Sequence, residues 1–370
     1  MLKKNILLIW LSLSATVSFA DNWFIRFVKQ LGKTDTTFIE PQHYPGTLML
    51  QNSYTFDRIS LNDGKDKMVF APDVTVGVGP FAGYKFIFAG YTVDMKNFFK
   101  SKDRTDLVFS IFTNPFVIDI FYRKAGNDFI LREITDPTLK SIEGMECTAI
   151  STRNSGFTLS YILNHKRYSA PAAFGQSTNQ RRSSGSLILG AGIMRTKFDL
   201  NINDLVIDMI DKSIHDGTID QLIDDDGTNT DKPDSDDDFL LTRNARFNTV
   251  SLTAGYGYNW VFAHNWLLGG AVFVSPGLKT CDAHIVSMND MIENMIIEDH
   301  DKYNTVDTYH HTGVNLDFKA HLGITYNNTR WYCGASASVY DNHYNAHDYH
   351  LRNTYGSVNL YAGFYFGKRN

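Results

Sequence analysis

After residue 20 the sequence lacks any run of eighteen apolar residues. That excludes a membrane-spanning helix there and leaves strands as the only spanning element open to the chain. Cysteine is scarce. Cys147, Cys281 and Cys333 are odd in number and widely spaced, which makes neither a disulfide framework nor a zinc site. An excess of positive charge is missing too, the formal net charge being -5, so nothing recruits nucleic acid. No G-x-S-x-G nucleophile elbow occurs. The acidic run "IDDDGTNTDKPDSDDD" at 223–238 fails as an EF-hand, because setting Gly227 at position six puts Leu222 at position one. No metal and no cofactor are expected.

What the chain does have is apolar and aromatic mass in a particular order. Hydrophobic residues make up 43% and aromatics 14%. The opening "MLKKNILLIWLSLSATVSFA" has Lys3 and Lys4, a short apolar run over Ile6 to Leu13, and a small-x-small end at Ser18-Phe19-Ala20. It reads as a secretory signal cleaved after Ala20, not as a membrane anchor. A periplasmic lead follows over 21–45, and the remainder, 46–370, reads as one unit.

In that unit the dominant signal is period two. In "VNLDFKAHLGITY" the residues Val314, Leu316, Phe318, Ala320, Leu322, Ile324 and Tyr326 alternate with Asn315, Asp317, Lys319, His321, Gly323 and Thr325. The same pattern runs through 249–262, 331–340 and 357–366. Weaker versions lie near 47–57, 68–79, 82–94, 105–112, 115–124, 128–134, 156–164, 186–198 and 266–275. Such alternation is a strand signal. Runs of thirteen exceed the usual five or six residues of soluble strands. The expected fold is therefore all-β: a transmembrane, antiparallel, up-and-down β-barrel of the bacterial outer membrane. It has about twelve strands, or fourteen if the weak windows near 128–134 and 145–152 both join the wall.

Connections alternate in length. Tight turns at 263–265 and 327–329 are expected on the periplasmic side. Long polar stretches at about 200–245 and 281–312 are expected as extracellular loops. Within the first, "INDLVIDMIDKSIHDGTIDQLI" has helical spacing and could pack over the barrel mouth. Trp260, Trp266, Tyr326 and Trp331 flank the tight turns and, with Phe366, would form one interfacial aromatic belt.

Two clusters bear on function. Asn315, Asp317, Lys319 and His321 would line the lumen, as a selectivity ladder or as an internally satisfied charge network. Lipid-facing placement would cost about 2–4 kcal/mol for Lys319 alone. "SAPAAFGQSTNQRRSSGS" at 169–186 is too long for a periplasmic turn. With Gln176, Gln180, Arg181 and Arg182, it reads as a plain loop or as a plug whose arginines meet lumen acids. A lipid-modifying enzyme would have to draw on His165, Ser169 and Ser177, but no local motif supports that.

Several stretches carry a resemblance. "DTTFIEPQHYPGTLMLQNSY" at 35–54, "NPFVIDIFYRKAGNDF" at 114–129, "YILNHKRYSAPAAFGQSTNQRRSSGSLILGAG" at 161–192 and "SLTAGYGYNWVFAHNWLLG" at 251–269 belong to the set. "YNNTRWYCGASA" at 326–337 and "NTYGSVNLYAGFYFG" at 353–367 complete it. Together these resemble a family of uncharacterised outer-membrane-type barrels, found mainly in Bacteroides-like bacteria and known as domain of unknown function 4421. The acidic insertion around 200–245 and the loop at 282–305 depart from its pattern. The resemblance implies a signal-bearing barrel of unknown activity and supplies no catalytic residues. The expected role is a structural barrel or a narrow porin-like pore for small solutes, with surface binding through the long loops as the alternative. Outer-membrane lipid and the barrel-assembly machinery are the expected partners.

Overall fold

A computed structural model describes residues 33–201 except 63–64, 85–86, 95–104, 127, 136 and 138–139, then residues 204, 205, 208 and 212, and then 240–287, 307–346 and 349–368. The signal segment at 1–20, the acidic run at 223–238 and residues 288–305 lie outside the described residues.

Alternating sequence becomes extended chain throughout. In chain order the strands are β1 (Ile39–Pro41), β2 (Gly46–Asn62), β3 (Lys67–Pro72), β4 (Thr75–Tyr84), β5 (Ile87–Asp94), β6 (Thr105–Phe112), β7 (Phe116–Gly126), β8 (Phe129–Ile134) and β9 (Glu146–Cys147). They continue with β10 (Ile150–Ile162), the short helix α1 (Ala170–Phe174), β11 (Thr178–Gln180), β12 (Ser184–Leu200), β13 (Leu240–Ala263), β14 (Trp266–Ser287), β15 (Asp307–Asn327), β16 (Trp331–Ala346) and β17 (Tyr349–Phe366). Twelve of them form the wall, in the order β2-β4-β5-β6-β7-β10-β12-β13-β14-β15-β16-β17. β17 pairs back onto β2, from Phe366 opposite Gly46 to His350 opposite Asn62, and so closes the sheet. Closure leaves the wall no edge, as hydrocarbon requires.

The outer face carries the greasy rows. Val314, Leu316, Phe318, Leu322 and Ile324 are exposed, while Asn315, Asp317, Gly323 and Thr325 are buried. The apolar outward row runs over Val250–Phe262 on β13, Trp266–Leu278 on β14 and Val314–Tyr326 on β15. Twelve residue steps of about 3.4 Å, on strands tilted about 40°, rise roughly 31 Å, close to a bilayer's hydrocarbon thickness. At the short-turn end the rings of Trp260, Phe262, Trp266, Tyr326 and Trp331 follow one another with centroids 5.0–6.1 Å apart. Trp331 lies opposite Phe364, whose ring is 6.2 Å from that of Phe366.

Above the apolar band the amphipathicity changes phase. On β13 the outward residues become Asn248 and Arg246, while Phe247 and Ala245 turn inward and are buried. Cys281 and Ala283 on β14, Phe198 and Leu200 on β12, Ile59 and Leu61 on β2, and Leu351 on β17 do the same. These inward residues meet Met68 and Phe70 of β3, and Phe129, Leu131 and Ile134 of β8, in a single apolar cluster. Its wall members come from β2, β10, β12, β13, β14, β16 and β17, so the cluster caps the lumen at the long-loop end on that side of the barrel. Leu205, from the stretch with helical spacing, belongs to it, and Asp208 accepts a hydrogen bond from the Thr148 backbone N–H at 2.7 Å.

The structure redraws several sequence boundaries. The window at 128–134 is β8, a strand of the cap and not of the wall, and the window at 145–152 divides between β9 and the start of β10. The windows at 68–79 and 82–94 each span two strands. β13 begins at Leu240, β14 runs to Ser287 and β15 starts at Asp307, well inside the stretches expected as loops. Apolar-out alternation stops there because the outward face has left the lipid, not because the strand has ended.

An Arg at Val272, midway along the outward row of β14, is expected to cost about 2–4 kcal/mol. An Arg at Thr280, just above the band, is expected to cost under about 1 kcal/mol. Reversible urea unfolding in phosphatidylcholine vesicles measures both.

Candidate functional site: the enclosed lumen

The lumen is closed from below by the segment that connects β10 to β12. Ser169 caps α1, its Oγ accepting from the Ala172 backbone N–H at 3.3 Å. The helix enters the barrel because the wall makes room for it. A Cβ on Gly269 would collide with Ala173, and one on Gly257 with the Tyr168 hydroxyl. Gln176, in a left-handed conformation with φ 56°, donates through Nε2 to Thr325 Oγ1 at 3.1 Å and to the Tyr361 hydroxyl at 3.2 Å. The Tyr365 hydroxyl donates to the Gln176 carbonyl at 2.6 Å. Asn259 Nδ2 donates to the Ser169 carbonyl at 2.8 Å and to Gln180 Oε1 at 3.2 Å. Polar groups that would otherwise lack partners inside a membrane thus tie plug to wall.

Between plug and cap lies a chamber of ≈ 490 Å³. One rung of cross-strand neighbours shapes it: Phe273 opposite Lys319, Lys319 opposite Tyr340, Tyr340 opposite Tyr355, and Tyr355 opposite Asp57. Tyr340 and Tyr355 stack with centroids 4.9 Å apart and planes 12° from parallel. Lys319 Nζ sits 5.4 Å from the Phe273 ring centroid and 5.3 Å from that of Tyr340. On the far wall, Arg123 of β7 reaches across the lumen to lie 4.8 Å over the Tyr355 ring. Asp119 on the same strand accepts from Ser110 Oγ at 2.6 Å. Lys319, Arg123 and Asp106 all line the chamber, and none makes an ion pair within 4 Å among the described residues. The two cations rest on aromatic faces instead.

Asp317 and Lys279 close the chamber from above. Their side chains are 11% and 4% exposed, and Lys279 Nζ donates to Asp317 Oδ1 at 2.6 Å and to the His343 carbonyl at 2.7 Å. Asp317 Oδ1 also accepts from the His343 backbone N–H at 2.9 Å. Of the four residues singled out on β15, Asn315 and Asp317 are buried and Lys319 and His321 half-buried. His321 packs among Phe174, Tyr340 and Phe273 at 5.6–6.1 Å. His165 and Ser169 do not form a nucleophile–base pair. His165 Nδ1 faces the Ile162 carbonyl at 3.2 Å, and Ser169 Oγ is 2.6 Å from Thr178 Oγ1.

The arginines of the plug do not meet lumen acids. Arg181 binds Glu40 at 2.6 Å, and both Arg167 and Arg182 lie over the Phe38 ring, at 5.0 and 5.9 Å. β1 pairs with β11, so the N-terminal segment latches the plug from outside the wall. Partial burial pushes the Glu40 carboxyl up, but the hydrogen bond and charge of Arg181, helped by His43, outweigh it and hold the group below its ordinary 4.5.

Sequence reading overlooked Arg123, Phe273, Tyr340, Tyr355 and Lys279. Phe273 carried a signal, being an aromatic in the polar row of a strand. So did Gly257 and the directly opposed Gly269 and Gly323, inward glycines near the plug, which mark close backbone approach.

Three comparisons place the chain among known proteins. The family described as Domain of unknown function (DUF4421) matches residues 33–366. No curated protein matches the sequence. Among solved structures, the outer membrane protease OmpT from Escherichia coli is similar at TM-score 0.40 and 6% identity, over 89% of this chain and 98% of that one. The translocator domain of the autotransporter NalP from Neisseria meningitidis is similar at TM-score 0.28 and 10% identity, over 95% and 98%.

Removing one partner of the buried pair by Lys279→Met is expected to cost about 3–5 kcal/mol, and Lys279→Met with Asp317→Leu to recover most of it. Chemical unfolding in detergent reads both. The Glu40–Arg181 pair stabilises the latch above pH 4.5, and its contribution fades as pH falls through the depressed carboxyl value. Proteolytic cleavage within 33–45 should therefore speed up on acidification from pH 6 to pH 3, and Arg181→Gln should flatten that dependence.

Proposed function

The chain belongs to the family described as domain of unknown function 4421, and from that premise we propose that it is an outer-membrane barrel serving as a narrow, gated pathway for small charged solutes. Short turns and the latch face the periplasm in this reading, and the long loops face outward. The observation that carries it is the chamber of ≈ 490 Å³ held between a polar plug and an apolar cap. A chamber of that size fits a small molecule and not a polymer.

The chemistry of the lining favours a zwitterion. Arg123 and Lys319 offer two cations with no carboxylate within 4 Å among the described residues, and Asp106, directly opposite Arg123 on the neighbouring strand, offers an acid in the same space. A carboxylate on the solute would meet the cations, and an ammonium would meet Asp106 and Asp119. Stacked Tyr340 and Tyr355 would receive an apolar or planar side group. The plug is the movable part. Hydrogen bonds from Gln176 and Tyr365 and small apolar contacts of Tyr168, Ala170, Ala172 and Ala173 hold it to the wall, and its outer hold is the half-exposed Arg181–Glu40 pair.

Planar-bilayer recordings test this. The intact barrel should show small, rare openings. Replacing residues 165–182 by a four-residue turn should raise conductance several-fold. Gln176→Ala, which loosens the plug without removing it, should raise the opening frequency. Lys319→Gln in the plugless barrel should shift selectivity toward cations. Conductance and selectivity unmoved by all three changes would overturn the gated-pathway reading.

A further inference from the structure

A row of cations stands on the outside of the barrel, just above the lipid-facing band. Arg153 of β10 lies directly opposite Lys197 of β12, and Lys197 directly opposite Arg246 of β13. Lys124 of β7 takes the next place, opposite Arg153. Inward neighbours of the row, Asn154, Phe198, Ala245 and Phe247, are buried, so Arg153, Lys197 and Arg246 point outward. One outward step down, Arg195 lies between Ser155 and Asn248, and its Nε donates to Asn248 Oδ1 at 3.0 Å. One step below that, the row is wholly apolar: Phe157, Ile193, Val250, Leu278 and Val314.

Like charges set directly opposite one another on neighbouring strands destabilise a sheet. Here three follow in succession. None of Arg153, Lys197 and Arg246 makes an ion pair among the described residues. Along the row the next acid, Asp282 opposite Arg246, is held by His310 Nδ1 at 2.6 Å, and one outward step above Lys197 stands Asp199, opposite Ser151 and Asn244. Two outward steps of about 6.8 Å each, on strands tilted about 40°, raise the row roughly 10 Å above the last apolar ring, from where long Arg and Lys side chains reach down to the headgroups.

We propose that Arg153, Lys197 and Arg246, with Arg195 beneath them, bind the phosphate of an anionic lipid headgroup in the leaflet at the long-loop end. Continuity with the lipid-facing surface selects a lipid over a soluble anion. Guanidinium groups supply bidentate geometry for phosphate, and the acyl chains of the same lipid lie along Phe157, Ile193 and Val250. One phosphate between the strands converts a repulsive row into a bridged one.

The test uses the full barrel in phosphatidylcholine nanodiscs with and without one-fifth diphosphorylated lipid A. Native mass spectrometry reads the lipid retained, and heat-modifiable gel migration verifies folding. The wild type should retain lipid A, and Arg153→Gln/Lys197→Gln/Arg246→Gln should retain it roughly ten- to a hundredfold less. Arg58→Gln, an outward cation elsewhere on the rim, should match the wild type. Equal retention by the triple variant would overturn the assignment. So would stabilisation of the wild type in neutral nanodiscs by inorganic phosphate alone to the same degree. No retention by the wild type would assign the row to another occupant, such as the acidic run at 223–238, with the same consequence.

Discussion

The barrel is one continuous sheet that passes through two solvents, and the rest of the structure follows from that constraint. Where hydrocarbon lies outside, the outward row must be apolar, and polar side chains can survive only inward. Where water lies outside, the same strand reverses the assignment. Val250 and Arg246 are both outward residues of β13, four positions apart. Between them the hydrophobic face moves from the outside of the cylinder to the inside. The boundary falls at equivalent positions on β12, β13, β14 and β15, because their registers place Ile193, Val250, Leu278 and Val314 in one row.

This reversal accounts for the closed lumen. Inward apolar residues above the boundary cannot face a water-filled channel without losing their burial, so they collapse onto β3 and β8 and fill the mouth. Below it many inward residues are polar, and they need partners in the narrow space between plug and cap. The plug provides many of them, through Gln176, Gln180 and backbone carbonyls. The chamber is what remains between two fillings of opposite character. Its charges are uneven: Lys279 and Asp317 satisfy each other, whereas Arg123 and Lys319 rest on aromatic rings.

The transmembrane part of this fold was legible in the sequence because lipid imposes a simple rule on the outward row. Period two over 249–262 and 314–326 gave strand, face and closure together. The long-loop half was not legible by the same rule. Ala245, Phe247, Cys281 and Ala283 continue the alternation in opposite phase, and a reading tuned to apolar-outward rows ends the strand there. Strand windows on the short wall were blurred where two strands meet within a few residues, as at 82–94. At the site, the charged row of β15 stood out because four polar residues share one strand. Arg123 and Tyr355 did not, since their meeting depends on β7 and β17 facing each other across a closed cylinder, which no local pattern encodes. The plug announced itself by its length, but its hold on Glu40 depends on β1 pairing with β11, a contact between distant segments.

Depth along β13 decides the central claim. Single cysteines carrying a fluorophore, placed at 246, 250, 254 and 258 in a chain whose Cys147, Cys281 and Cys333 are replaced by alanine, would be exposed in turn to quenchers carried deep on lipid acyl chains and to water-soluble quenchers. The account predicts lipid quenching at 250, 254 and 258, and at 246 quenching from water only. Lipid quenching at 246, or ready quenching from water at 254, would contradict a change of solvent between these residues.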